Sequence, residues 1–140
     1  MSKIIDVIKG LNNLLPLKPA TVEDIGNVEI ELALPLSEEY KEYLQNYGAI
    51  MANDVELTGI AKSKNRDVIQ VTQREWAANN KIKHNLYVVE NMGIDGIIIW
   101  QDGSGKIYES RPNHGVTQIA DSLAAYLESK GSIIFEGVKK

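Results

Sequence analysis

The chain contains no cysteine in 140 residues, which removes disulfides, thiolate zinc sites, iron–sulfur clusters and cysteine nucleophiles together. Histidine is nearly as scarce. Only His84 and His114 occur, and neither is spaced from a carboxylate or a second histidine as a helical metal pair requires. Long apolar runs are missing too: none approaches the roughly 20 residues of a membrane span. The start, Met1-Ser2-Lys3-Ile4-Ile5-Asp6, meets charge before a signal-peptide core can form. These absences predict an unsecreted, soluble, cytoplasmic protein that engages no membrane. Basic residues are outnumbered, 15 to 19, for a net charge of −4. Direct nucleic-acid binding is not expected, because affinity for phosphate backbones needs clustered lysine and arginine.

What remains is ordinary globular composition, 44% hydrophobic and 24% charged. A chain of this length has room for one compact core, and no linker, repeat or compositional break divides it, so one domain over residues 1–140 is expected. Charge is unevenly placed. From Thr21 to Glu56 nine acids face the single base Lys41, a net of −8; from Leu57 to Leu86 six bases face Asp67 and Glu75, a net of +4.

Ile4, Ile8, Leu11 and Leu15 lie at helical spacing, predicting a helix over 2–15 that Pro16 and Pro19 end. Thr21, with Asp24 three residues on, reads as the N-cap of a second helix, which Gly26 weakens. Ser37 caps the clearest element: Glu38 and Glu39 stand in its first turn, Tyr40, Tyr43, Leu44 and Tyr47 form its apolar stripe, and Gly48 closes it. That stripe predicts buried rings with hydroxyls reaching the rim. A short strand follows over 54–60, then a polar, basic loop over 61–66, then a helix capped by Asp67 with Val68, Val71, Thr72 and Trp76 inward. Leu86 to Val89 and Ile97 to Trp100 are β-branched, aromatic runs expected as central strands, and Asp102-Gly103-Ser104-Gly105 turns a hairpin into a strand over 106–109. Val116, Ile119, Ala120, Leu123 and Leu127 predict a closing helix ending at Gly131. A further strand or docked segment is expected over 132–138. Helices and hairpin-linked strands in this order imply an α+β fold, a mainly antiparallel sheet flanked by helices.

No constellation for chemistry emerges. Asp102-Gly103-Ser104-Gly105-Lys106 lacks the Walker spacing and joins strands rather than opening a helix. Glu90 and Asp95 bracket a turn and read as solvated strand ends. Ser37, Ser63 and Ser110 have no nucleophile-elbow context. Trp76 and Trp100 sit on apolar faces, as core residues do. Catalytic residues, metal ligands and cofactors are therefore all expected to be absent, and the protein is not expected to be an enzyme, although an uncharacterised small enzyme stands as a minor alternative.

The stretch Leu36-Ser37-Glu38-Glu39-Tyr40-Lys41-Glu42-Tyr43-Leu44-Gln45-Asn46-Tyr47-Gly48 resembles the signature helix of the SUKH superfamily, with Ser37 in place of the usual proline. Collinear matches follow at Glu56 to Ile60, Asp67 to Thr72, Leu86 to Gly93, Ile94 to Ile97, Gly105 to Tyr108 and Ile119 to Leu123, so the resemblance covers about residues 21–130. It implies a SUKH-like fold and, for many bacterial members, an immunity protein that binds and neutralises a cognate toxin, often a nuclease domain, by occlusion. The alternative it implies is a non-enzymatic regulatory or adaptor module for an endogenous protein partner. Oligomeric state is not indicated. A basic nuclease cleft would favour the acidic segment, which makes Glu38, Glu39, Glu42, Asp54 and Glu56 the expected partner-binding residues.

Overall fold

The computed structural model describes residues 3–130. Within them the elements run α1 (Lys3–Lys9), β1 (Leu15–Pro16), α2 (Val22–Leu32), α3 (Glu38–Tyr47), β2 (Ile50–Ala52), β3 (Val55–Glu56), α4 (Val68–Ala78), β4 (Tyr87–Asn91), β5 (Ile98–Gln101), β6 (Ile107–Ser110) and β7 (Val116–Ala120). A last helix, α5, occupies 123–130. The strands form two antiparallel sheets, β1-β2-β3 and the meander β4-β5-β6-β7, and a bridge between Leu57 and Glu90 joins them. The fold is α+β, as the order of elements implies.

Local chemistry explains the helix starts. Thr21 Oγ1 accepts from the amide of Asp24 while the Asp24 carboxylate accepts from the amide of Thr21, a reciprocal capping box that carries α2 through Gly26 to Leu32. Ser37 and Asp67 cap α3 and α4 by accepting from the amides of Tyr40 and Gln70.

Side chains alternate across β4 and β5 and are buried on both faces of the four-stranded sheet. Tyr87, Val89, Ile99 and Ile107 join the cluster built by α1, α2, α3 and α5, whereas Val88, Ile98 and Trp100 pack with Val71 of α4. Burial on both faces is why β4 and β5 read as unbroken apolar runs instead of alternating ones. Trp100 Nε1 donates to Ser110 Oγ at 2.9 Å, and Trp76 Nε1 donates to the carbonyl of Leu86 at 3.0 Å, so each indole carries its polar edge into the core satisfied.

Several sequence expectations need correction. The first helix stops at Lys9, and Leu15 is not on its stripe: it pairs with Met51 in β1 and is 64% exposed. Turn residues 10–13 intervene, with Asn13 in the left-handed region, so the apolar periodicity runs across a break in the backbone. The expected strand over 54–60 is paired as a strand only at Val55–Glu56, continuing as bridges at Leu57 and Gly59. Val116 to Ala120 is strand β7, not the start of a helix. Its residues pair with β6 from Ser110 back to Ile107, and Val116 and Ile119 are 37% and 42% exposed. The helix begins at Leu123, after Ser122 Oγ accepts from the amide of Ala125, so only Leu123 and Leu127 of the predicted stripe belong to it. The segment expected over 132–138 lies outside the described residues.

Candidate functional site

The side chains expected to meet a partner have different surroundings. Glu38 is exposed and meets Lys41 one turn on at 3.1 Å. Glu42 is half-buried on α3, Asp54 is exposed in the turn between β2 and β3, and Glu56 is exposed at the end of β3. Glu39 faces inward. Its carboxylate accepts from the amides of Leu123 at 2.7 Å and Ala124 at 2.9 Å, and from Gln101 Nε2 at 2.9 Å. A carboxylate here meets the positive end of α5 and satisfies two of its unpaired amides, so Glu39 ties α3 to α5. Replacing it by alanine is expected to lower stability by about 1–3 kcal/mol, measured as a fall in the urea midpoint with the slope unchanged.

Glu39 also terminates a buried chain of polar groups. Gln101 Nε2 donates to Glu39 and to the carbonyl of Gly105, while Gln101 Oε1 accepts from Tyr87 Oη at 2.7 Å and from Ser37 Oγ at 3.0 Å. A second group lies under α3, and it corrects the expectation that the tyrosine hydroxyls reach the rim. Tyr43 Oη donates to the carbonyl of Thr58 and accepts from the amide of Ile50; Tyr40 Oη lies 2.8 Å from Thr58 Oγ1, which donates to the carbonyl of Val88. These hydroxyls pin the end of the small sheet to β4. Burial pushes the phenols of Tyr40, Tyr43 and Tyr87 well above their ordinary range.

Glu90 corrects the reading of solvated strand ends. It is buried, accepting from Tyr126 Oη at 2.6 Å, from Lys130 Nζ at 2.7 Å and from the amide of Glu56 at 2.9 Å. Asp95 lies exposed on the loop beyond it. Burial, with the Glu90 charge added to it, raises the Tyr126 phenol. In the 102–105 loop the Asp102 carboxylate accepts from the amides of Ser104, Gly105 and Lys106 and from the hydroxyls of Ser104 and Tyr108. Partial burial opposes its charge, but these donors outweigh that and hold Asp102 below the usual carboxylate range. The loop's amides are thus turned onto its own side chain. His84 stacks on Trp76 with ring centroids 4.2 Å apart, and His114 is exposed. Among the described residues no three His, Cys, Asp or Glu side chains converge as a metal cage would require.

One cleft of about 270 Å³ opens between the 61–67 loop, α4 and the end of β4. Its wall includes Arg66, Arg74, Asn65, Asn91 and Glu56. Arg66 was not singled out by sequence; the sole signal for it was its place in a basic loop. No helix among the described residues is long and apolar enough to cross a membrane.

The model of a SUKH family, SUKH_5, described as SMI1-KNR4 cell-wall, matches residues 1–133. The protein belongs to the SUKH superfamily. The match reaches further toward the N-terminus than the resemblance at residues 21–130, and so takes in α1, whose Ile4 and Ile8 are in the main core. No curated protein matches the chain. Within this SUKH fold, the collinear segments that carried the resemblance are largely the ones that bury: Tyr40, Leu57, Val68, Tyr87 and Leu123.

Proposed function

We propose that this SUKH protein is a cytoplasmic immunity protein that binds a cognate toxin domain, a nuclease, and neutralises it by stoichiometric occlusion without catalysis of its own. Family membership carries the reading. It is supported by the way polar groups are used: Ser37, Gln101, Thr58 and Glu90 are buried and hydrogen-bonded within the fold, in the manner of scaffold rather than of reactive groups. Of the expected contact acids, Glu38, Asp54 and Glu56 are exposed and Glu42 half-buried, open to a basic nuclease surface; Glu39 is engaged by α5 and contributes through the fold.

Co-expression tests the function directly. A toxin domain encoded beside this gene should arrest growth alone and be tolerated in the presence of this protein, with a one-to-one complex recovered from the surviving cells. Arrest despite equal levels of both proteins would refute the reading. A Glu38→Gln, Glu42→Gln, Asp54→Asn, Glu56→Gln variant should associate roughly tenfold more slowly at low salt and lose most of its salt dependence, while dissociation changes little. Wild-type association kinetics in that variant would place the epitope elsewhere.

A second reading, a regulatory module for an endogenous protein, is favoured by the cell-wall description of the matching family. It predicts a deletion phenotype in cells that encode no toxin.

A further inference from the structure

Arg66 is the one side chain among the described residues whose buried polar atoms lack partners: Nε and Nη2 are both enclosed and neither makes a hydrogen bond. These two nitrogens form one edge of the guanidinium, the edge that grips a carboxylate with two parallel N–H···O bonds. The nearest anion is Glu56, whose Oε2 stands 3.8 Å from Nε, an ion pair beyond hydrogen-bonding range. The Glu56 side chain is 50% exposed and that of Arg66 only 15%, so the acid is free to move and the base is held. Leaving such a donor pair buried and unmet costs stability, which calls for a reason.

We infer that the Arg66 cleft is a docking site for a single carboxylate of a partner protein, received bidentately by Arg66 as Glu56 swings outward. Charge selects the class of ligand. Arg66 and Arg74 line the cleft against Glu56, an excess of one positive charge that suits a monoanion. A phosphate carrying nearly two charges exceeds this excess and meets about twice the repulsion from Glu56 that a carboxylate does. Arg74 is secondary, because its Nη1 already donates to Asn65 Oδ1 at 3.2 Å and its Nε lies 3.4 Å from Glu75. Size agrees with charge. At about 270 Å³ the cleft falls below the usual range for a cofactor or drug-sized ligand and accommodates one acidic side chain or a chain terminus.

The site does not depend on the nuclease-toxin reading, since it can be probed with no toxin present, and either proposal can fail alone. The experiment follows the Arg66 Nε–H signal by NMR in the full chain during titration with four probes. These are N-acetyl-Gly-Glu-Gly-amide, N-acetyl-Gly-Gly-Gly with a free terminal carboxylate, the neutral N-acetyl-Gly-Gln-Gly-amide, and inorganic phosphate. A saturable downfield shift is expected with a carboxylate peptide and not with the neutral one, and the tighter of the two carboxylate peptides identifies the source as side chain or chain end. Glu56→Gln should tighten binding several-fold by removing the competing acid. Arg66→Lys should abolish the peptide's effect on neighbouring amides while leaving the remaining spectrum unchanged, because an ammonium cannot form the two-pronged bond. The proposal is overturned if phosphate binds more tightly than both carboxylate peptides, or if the neutral peptide shifts the signal equally. It is also overturned if Glu56→Gln exposes no binding and merely lowers stability, which would make Arg66 and Glu56 a structural pair.

Discussion

Raising the pH above about 10 is expected to unfold this protein steeply and cooperatively, with tyrosine ionisation as the cause. Tyr40, Tyr43, Tyr87 and Tyr126 are buried, and burial holds all four phenols neutral well past the ordinary tyrosine range, with Glu90 adding to the effect at Tyr126. In the unfolded chain each loses its proton near pH 10. The unfolded state then binds fewer protons than the folded state, so stability is fully present below that pH and declines as pH rises toward the folded-state values. Each group contributes up to about 1.4 kcal/mol per pH unit, and four together approach roughly 5 kcal/mol per unit, comparable to the whole stability of an ordinary domain. Urea midpoints measured from pH 8 upward should be flat to about 10 and then collapse. The tyrosinate absorbance of these four residues should appear only with loss of the folded signal. If it developed in the folded protein ahead of unfolding, the phenols would be reachable by solvent and the account of the tyrosine stripe would be wrong.

A single methyl group at Gly59 should be as damaging. Three backbone segments meet there. A Cβ built on Gly59 would fall on the carbonyl oxygen of Gly48, and one built on Gly48, where φ is +72°, would fall on the carbonyl oxygen of Lys18. The obstructing atoms are backbone and cannot rotate away. The same carbonyl of Gly48 accepts from the amide of Ile60, while Gly59 exchanges hydrogen bonds with Arg66 and Val68 at the start of α4. Separating the segments would therefore break the junction of α3, the 57–60 bridge segment and α4 together. Gly59→Ala should cost more than about 4 kcal/mol and leave little folded protein. Gly26→Ala is the control of opposite sign: a Cβ there meets nothing within 4 Å, and in the interior of α2 alanine should add about 0.5–1 kcal/mol. Near-equal melting temperatures for the two variants would show that the close approach is relieved by backbone movement.

The contrast between those glycines shows where sequence reasoning stops. Gly48 after an amphipathic stripe is legible as a helix end, since capping is a local matter settled within one turn. For the same reason Thr21, Ser37 and Asp67 were legible as caps, and Asp102-Gly103-Ser104-Gly105 as a turn whose aspartate satisfies its own amides. Tyr40, Tyr43 and Leu44 as core, the two central strands and the collinear SUKH segments likewise follow from periodicity and composition over short windows.

Groups whose role depends on a distant partner were not legible. Val116 to Ala120 carries apolar residues at helical spacing, yet the neighbouring β6 offers a ladder of hydrogen bonds that outweighs that local pattern, and β-branched Val116, Thr117 and Ile119 suit it. Glu39 and Glu42 are indistinguishable as first-half acids of one helix. Only the packing of α5, some 84 residues along the chain from Glu39, turns Glu39 into a cap and leaves Glu42 at the surface. Glu90 was a strand-end acid until Tyr126 and Lys130 closed over it. Arg66 was one base among six until the fold enclosed its Nε–Nη2 edge beside Glu56. Helix caps, turn chemistry, most of the core and the family could be read from the residues alone, because caps and turns gain their free energy within a few residues and the burial pattern is written in short apolar windows. Tertiary structure alone decided which charges face inward and which strand closes the sheet, because a buried charge is tolerable only where the chain brings its partner, and no local pattern records where that partner will come from.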